Sequence, residues 1–271
     1  LVAGGNAITL DQAGNNFQDA VIVTSGGDVA LRDAGAIELG ASTVTGTYSV
    51  TAGGAVTNTG NLVITGVTTL VAGGNAITLS QSGNNFQAAV IVTSGGNVQL
   101  VDAGAIILGA STVTGTYAVT ATSGNITADS GALIITGAST FKTVANGSDI
   151  ELDYATHAFS NSVTLKAGSG GGGTFGDITF VDSEGAVDLD SSASANGDLY
   201  IDASTDGAVG GTLSIKANGV ITQNVDLAVT DATTLEAGSN AITLNRSGND
   251  FQDAVIVTSG GDVALRDTNA I

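Results

Sequence analysis

Short runs of alternating apolar and polar residues recur along the chain. In the segment DVALR, Val29 and Leu31 are separated by a single small residue, and in IEL the apolar Ile37 and Leu39 flank Glu38. An alternation of period 2 over so few residues predicts half-buried β-strands. Pairs such as Gly-Gly, Ser-Gly and Asn-Gly separate these runs and mark turns. No apolar stripe of helical period is present, so the pattern predicts an all-β fold.

The chain also repeats itself over longer distances. Residues 1–52 recur at 70–121, an offset of 69, with 8 differences, and residues 1–37 recur at 235–271, again with 8 differences. Self-similarity of this length is typical of solenoids, in which stacked repeats share one core. The chain ends inside a copy of its own beginning, so we interpret it as a segment of a longer tandem array.

The repeat unit predicts the length of one coil. Leu1, Val21, Tyr48 and Leu70 divide it into three similar parts, which predicts three coils of about 23 residues per unit. That length suits a three-sided parallel β-helix, and the whole chain would form about a dozen coils. We expect one continuous solenoid over 1–271, composed of related units at 1–69 and 70–140, less regular coils at 141–234, and the start of a further copy at 235–271.

Differences between the copies indicate which face of each strand is outside. Arg32 and Glu38 of the first copy correspond to Val101 and Ile107 of the second, whereas the alternating positions stay aliphatic. A face that is free to vary is expected to be outside, and a face that stays aliphatic is expected to stack inside the core. Alternation continues more loosely through the central region, where Leu152 aligns with Leu79 and Phe159 with Phe86.

Composition narrows the range of partners and chemistries. The chain has 25 acidic and 6 basic residues, a formal net charge of −19, 40 Gly, and neither Pro nor Cys. The acidic excess repels nucleic acids and anionic membranes, so neither is an expected partner. Without Cys there are no disulfides or thiolate ligands. No run approaches the roughly 18 apolar residues of a membrane-spanning helix, so membrane insertion is not expected.

Few residues are candidates for catalysis or metal binding. The single histidine, His157, is interpreted as a loop or surface imidazole, since catalysis needs convergent partners. An acidic segment could supply oxygen ligands to a structural Ca²⁺, but it matches no calcium-loop spacing and is interpreted as a solvated face. Its members are Asp182, Glu184, Asp188, Asp190, Asp198, Asp202 and Asp206. The same carboxylates could cleave a polysaccharide, although few basic residues lie near them in the sequence.

Two further motifs have structural interpretations. The glycine run at 168–173 lacks the Lys and the helix of a phosphate-binding loop, so it is interpreted as a turn. Phe17, Phe86 and Phe251 occupy equivalent positions, and we expect them to pack at a coil corner or in the core, the alternative being ligand stacking. We therefore assign no catalytic residue, no cofactor-binding residue and no metal ligand, and we expect no cofactor.

Two segments of the repeat resemble a known family. NAITLDQAGNNFQDAVIVTSGGDVALRDAGAIELG and TVTGTYSVTAGGAVTNTGNLVITG are similar to repeats of filamentous-haemagglutinin-like exoproteins, the large adhesins exported by two-partner secretion, which include biofilm-matrix adhesins. The resemblance covers nearly the whole chain and lies in the residue pattern of the repeats. It implies a right-handed parallel β-helix, export to the bacterial cell surface, and a role in adhesion.

These observations favour a structural protein over an enzyme. We expect a shaft that spaces the binding parts of a secreted adhesin from the cell, in cell–cell, surface or biofilm-matrix attachment. One alternative is a self-assembling extracellular filament or surface-layer subunit, since an open β edge can template addition. The other is a carbohydrate-binding or polysaccharide-cleaving β-helix. Expected partners are adjacent repeats of the same chain, extracellular polysaccharide or other cell-surface molecules, and further copies of the protein.

Overall fold

The computed structural model describes residues 1–128, 130–168, 176–184, 187–189, 198–201, 211–223 and 226–269, with only the backbone described at 187–189 and 198–201. Within these residues the molecule is all-β, as predicted, and contains 32 short strands and no helix. Accordingly, no described helix is long and apolar enough to cross a membrane.

The first sixteen strands are β1 (Ile8–Leu10), β2 (Val29–Asp33), β3 (Ile37–Leu39), β4 (Ser42–Val44), β5 (Tyr48–Ala52), β6 (Val56–Asn58), β7 (Leu62–Ile64), β8 (Thr68–Val71), β9 (Ile77–Leu79), β10 (Asn85–Phe86), β11 (Val90–Ser94), β12 (Val98–Asp102), β13 (Ile106–Ile107), β14 (Ser111–Val113), β15 (Tyr117–Ala121) and β16 (Ile126–Thr127). The remaining strands are β17 (Leu133–Ile135), β18 (Ser139–Thr143), β19 (Ile150–Leu152), β20 (Ala158–Phe159), β21 (Val163–Lys166), β22 (Ile178–Asp182), β23 (Val187–Leu189), β24 (Asp198–Ile201), β25 (Leu213–Ala217), β26 (Ile221–Gln223), β27 (Ala228–Val229), β28 (Thr233–Glu236), β29 (Ile242–Leu244), β30 (Asp250–Phe251), β31 (Val255–Ser259) and β32 (Val263–Leu265).

The strands stack into a three-sided parallel β-solenoid. In the first coils, neighbours within a sheet are three strands apart along the chain. The first side contains β2, β5, β8 and β11, the second β3, β6, β9 and β12, and the third β4, β7 and β10. The strands pair in parallel throughout the described residues, as when Val29 lies opposite Tyr48 and Tyr48 opposite Thr68. This confirms the predicted fold class of a parallel β-solenoid.

The coils are shorter than the predicted 23 residues. Ile8 pairs with Val29, 21 residues later, and Val29 pairs with Tyr48, 19 residues later. The solenoid has about 11 turns of roughly 21 residues each. The prediction of three coils per 69-residue unit was therefore wrong. It took the interval from Val21 to Tyr48 as one coil, whereas Val21 pairs with Leu39 and Tyr48 pairs with Val29.

Successive repeat units are rotated about the solenoid axis. A repeat unit counted from Ile77 contains ten strands, β9–β18, the last of which ends at Thr143. Three strands make one turn of the solenoid, so a unit makes three and one third turns. Each copy therefore begins one side further round. The strand that begins at Tyr48, β5, lies on the first side, and its copy at Tyr117, β15, lies on the second side beside β12. The equivalent β25, which begins at Leu213, lies in another sheet between β22 and β28.

The core consists of the inward residues of every coil. In β3, Ile37 and Leu39 are buried and Glu38 is exposed, as the alternation predicted. Leu152 and Phe159 of the less regular region are buried in the same way as Leu79 and Phe86. Each fully buried aliphatic side chain contributes about 1.5–3 kcal/mol relative to exposure. Since each coil covers the apolar side of its neighbour, stability accumulates along the stack.

The number of residues along the chain between paired strands increases in the central region. Ile150 pairs with Ile178, 28 residues later, and Ile178 pairs with Leu213, 35 residues later. Here β24 pairs with both β21 and β23, so that one sheet incorporates an additional strand. The ladder from β13 through β16, β19, β22, β25 and β28 to β31 nevertheless continues without a break. The glycine run at 168–173 lies mainly outside the described residues.

Candidate functional site

Buried polar side chains recur at equivalent turns of the repeat, at corners of the solenoid. Asn84 is fully buried at the turn between β9 and β10. Its Oδ1 accepts hydrogen bonds from the backbone N–H of Leu62 at 3.0 Å and from Nδ2 of Asn58 at 2.8 Å. Its Nδ2 donates to the carbonyl oxygen of Leu79 at 3.2 Å. One side chain thus satisfies backbone groups of two successive coils that would otherwise be buried without partners.

A buried aspartate from the next coil completes this corner. In Asp102, Oδ2 accepts the backbone N–H of Phe86 at 2.7 Å and Oδ1 accepts that of Gly104 at 2.6 Å. Asp33 makes the same two contacts, each at 2.7 Å, with Phe17 and Gly35. Burial raises the pKa of Asp102, while the two N–H donors act in the opposite direction. We call Asn58, Asn84 and Asp102, together with their equivalents, the polar corner.

The polar corner appears again near the end of the described chain. There Gln223 and Asn249 exchange two hydrogen bonds, with Nε2 to Oδ1 at 2.7 Å and Nδ2 to Oε1 at 2.8 Å. Asn249 also accepts the backbone N–H of Leu227 at 3.0 Å. Asp267 accepts the N–H of Phe251 at 3.2 Å, in the place of Asp102. The same device therefore holds coils from different repeat units.

His157 occupies the asparagine position of a further polar corner. Its Nδ1 accepts the backbone N–H of Leu133 at 3.0 Å, and its Nε2 lies 2.9 Å from the carbonyl oxygen of Ala128. His157 lies in the loop between β19 and β20, as one part of the prediction had it, but its side chain has 0% relative exposure, so the expected surface position was wrong. Sequence reasoning missed that His157 aligns with Asn84, five residues after the aligned Leu152 and two before the aligned Phe159. Burial lowers the pKa of His157 to about 4.

Aromatic rings stack along the core beside this histidine. The ring centroids of Tyr117 and Phe141 are 5.8 Å apart, and those of Phe141 and Phe159 are 6.1 Å apart, both in edge-to-face geometry. The Phe159 centroid is 5.3 Å from that of Phe180. Of the repeat-equivalent phenylalanines, Phe86 and Phe251 are buried and Phe17 is partly buried against the core. Core packing therefore accounts for these positions.

The acidic segment does not form one solvated face. Asp182 is buried and accepts the N–H of Phe159 at 3.3 Å and that of Glu184 at 3.0 Å, so it is the aspartate of the polar corner that contains His157. Glu184 accepts the Ser160 hydroxyl at 2.7 Å. The side chains of Asp188, Asp190, Asp198, Asp202 and Asp206 lie outside the described part of the structure. In that part, no three acidic or histidine side chains converge as metal ligands would.

A shallow groove beside Asp182 brings a basic and an acidic residue together on the surface. Ala155, Val181, Ser183 and Asn218 line it together with Lys216 and Glu236. The Lys216 Nζ atom lies 2.7 Å from Oε1 of Glu236, in an exposed ion pair. A cation already paired in this way is a poor group for stabilising a developing negative charge. The groove therefore favours a structural interpretation.

The fold and its polar corners define a tandem-repeat β-solenoid. The chain belongs to the family described as Repeats of unknown function (DUF5649), whose model matches residues 1–24, 26–93, 95–166 and 175–258. No curated protein and no solved structure matches the chain significantly. The family description states no activity and does not mention filamentous haemagglutinins. The resemblance to those exoproteins therefore remains a proposal.

Proposed function

We propose that this chain is a shaft segment of a secreted bacterial surface adhesin, in the manner of filamentous-haemagglutinin-like exoproteins exported by two-partner secretion. The shaft would hold binding parts away from the cell in cell–cell, surface or biofilm-matrix attachment. The observation that carries this proposal is the uninterrupted stacking of parallel coils, each hydrogen-bonded to the next. The function would be mechanical, with no reaction catalysed by the described residues.

The stack has the dimensions of a spacer. With neighbouring strands about 4.8 Å apart, the 11 turns give a rod of about 50 Å. One 69-residue unit of three and one third turns adds about 16 Å. Because all coils contribute to one continuous core, bending the rod would require breaking both apolar contacts and strand pairing. The length of such a shaft would be set by the number of repeat units.

The rotation between units also favours a spacer over a one-sided binding array. A surface position of the unit appears on the first side in one copy and on the second side in the next, as the strands at Tyr48 and Tyr117 demonstrate. A feature repeated in every unit therefore returns to one side only after three units, about 48 Å along the axis. A receptor that bound several units in line would meet a different surface on each of them.

The charge of the chain suits an extracellular rod. A net charge of −19 would keep neighbouring shafts apart at low salt, and divalent cations could link them to each other or to an anionic matrix. The exposed ion pairs Lys216–Glu236 and Arg246–Asp226 neutralise only a small part of this charge. These properties support the surface and matrix partners proposed above.

A change in repeat number tests the shaft function. Deleting 1–69 in frame from the full-length protein should preserve attachment of the producing cells and shorten the reach by about 16 Å, measured by electron microscopy. The junction should fold because residue 70 begins a copy of the deleted unit. As a control, an excess of the purified chain should not compete with attachment. Loss of attachment by the exported deletion variant, or competition by the chain, would instead indicate a binding segment.

A further inference from the structure

Both ring nitrogens of His157 are bonded to the coil below. The Nδ1 atom accepts the N–H of Leu133, and the carbonyl oxygen of Ala128 is within 2.9 Å of Nε2. An oxygen acceptor requires a proton on Nε2, so the neutral imidazole matches both partners, as one donor and one acceptor. The imidazole is the link at this corner between the coil of β19 and β20 and the coil of β16 and β17.

A smaller residue lies opposite His157 than opposite the asparagines of the other polar corners. Asn58 pairs with Asn84 and Gln223 pairs with Asn249, so Asn84 and Asn249 each face an amide side chain of the coil below. The residue aligned with Asn58 in the coil below His157 is Ala128, which contributes only its backbone carbonyl. The larger imidazole thus replaces two amide side chains. The exchange introduces a titratable group where the other units have none.

Protonation would disrupt this arrangement for a geometric reason. The imidazolium carries protons on both nitrogens. A proton on Nδ1 would point at the N–H of Leu133, so two donors would face each other inside the core, and the buried charge would lose its hydration. The neutral imidazole has neither problem.

The acidic groups near the His157 ring lie in its own coil and in the coil above. Asp153 of the same coil favours the charged imidazole, but burial outweighs it, and the ring also faces Tyr154 at 5.9 Å between centroids. The coil above contributes Asp182, bonded to the N–H of Phe159, and Glu184, bonded to Ser160. In the coil below, the described residues 126–128 and 130–135 include no charged side chain.

We propose that His157 makes the coil of β19 and β20 an acid-sensitive joint, at which the solenoid opens before its other coils when the surroundings acidify. At neutral pH the solenoid would remain continuous, and at acidic pH it would separate between the coil of β16 and β17 and the coil of β19 and β20. The inference concerns the stability of the solenoid and does not depend on the proposed role in adhesion.

The direction of the pH dependence follows from the two states. The unfolded histidine takes up a proton near its ordinary pKa of 6.5, and the folded one only at a pKa of about 4. The joint therefore loses stability as the pH falls from about 6.5 to about 4, where opening should be favoured about 100-fold more than at neutral pH. Burial raises the pKa of Asp182, so its protonation acts in the opposite direction.

The single histidine allows a direct test by NMR. In the whole chain labelled with ¹⁵N, the imidazole should carry its proton on Nε2 and should not titrate between pH 7 and pH 5. Titration near pH 6.5 in the folded protein, or a proton on Nδ1 at neutral pH, would overturn the proposal.

Hydrogen exchange locates the opening. Between pH 7 and pH 4, after correction for the intrinsic exchange rate, protection over 126–160 should fall about 100-fold in the natural chain. The double variant Ala128→Asn/His157→Asn, which rebuilds the Asn58–Asn84 pair, should lose this dependence. The reverse variant Asn58→Ala/Asn84→His should acquire it near residues 56–86. Equal pH dependence in the natural and the Ala128→Asn/His157→Asn chains would refute the joint, as would opening that starts in other coils.

Discussion

Replacing Asp102 by Ala is expected to lower the free energy of unfolding by about 4 kcal/mol. The carboxylate accepts the N–H groups of Phe86 and Gly104 and has no exposure to solvent. Alanine would leave both donors without an acceptor, the Phe86 N–H buried and the Gly104 N–H partly buried, and an unsatisfied buried group costs about 1–3 kcal/mol. Urea denaturation followed by circular dichroism measures the change, and hydrogen exchange should place it at β10 and β12.

Two control variants separate this effect from a general loss of charge. Asp102→Asn keeps one carbonyl-type oxygen and loses the other acceptor, so its denaturation midpoint should lie between those of the natural chain and Asp102→Ala. Asp19→Ala removes an exposed carboxylate at a position where the second copy already has Ala88, and its midpoint should not change. A midpoint for Asp102→Ala equal to that of Asp19→Ala would show that the buried aspartate does not hold the coils.

Gly66→Ala should destabilise the chain by about 3 kcal/mol through steric overlap between coils. A Cβ atom at Gly66 would lie 2.5 Å from the carbonyl carbon and oxygen of Gly46 and 2.8 Å from the nitrogen of Thr47. These are backbone atoms of the coil below, and the Gly66 N–H donates to the Gly46 carbonyl oxygen at 3.0 Å. The two coils would have to separate, because the backbone has no flexible end that can move aside.

Gly74→Ala is the matched control for Gly66→Ala. Nothing lies within 4 Å of a Cβ built at Gly74, and its φ is not in the left-handed region. Alanine there should leave the denaturation midpoint unchanged or raise it slightly, since it reduces the freedom of the unfolded chain. Comparable losses in the two variants would mean that glycine is needed for its conformational freedom, and equal neutrality would mean that the coils are not in close contact at Gly66.

Local patterns were sufficient to predict which side chains enter the core. Side chains alternate across a strand whatever its neighbours are, so the spacing of Ile37 and Leu39 around Glu38 was enough to predict that both are buried. The same reasoning identified Leu152 and Phe159 as core residues in a region where the repeat is weaker. The parallel solenoid followed from the repeats, since a coil with one apolar face needs a similar coil to cover it.

The candidate site was harder to predict from the sequence, because its residues are polar and their partners are distant along the chain. Asp102 bonds to Phe86, 16 residues away, and His157 bonds to Leu133, 24 residues away. The sequence contained a signal in that Asp33, Asp102 and Asp267 are identical in three copies while neighbouring positions vary. Without the stacking, a retained aspartate could not be distinguished from a turn residue on the surface.

By itself, therefore, the sequence determined the strands, their inward faces and the tandem repetition, all of which depend on contacts within a few residues or between identical segments. Only the tertiary structure decided the phase of the repeat around the axis, the burial of Asp102 and His157, and the close contact at Gly66. These depend on which residue of one coil lies above which residue of the next. Coil length sets that register, and a difference of two residues per coil moves each copy to a new side.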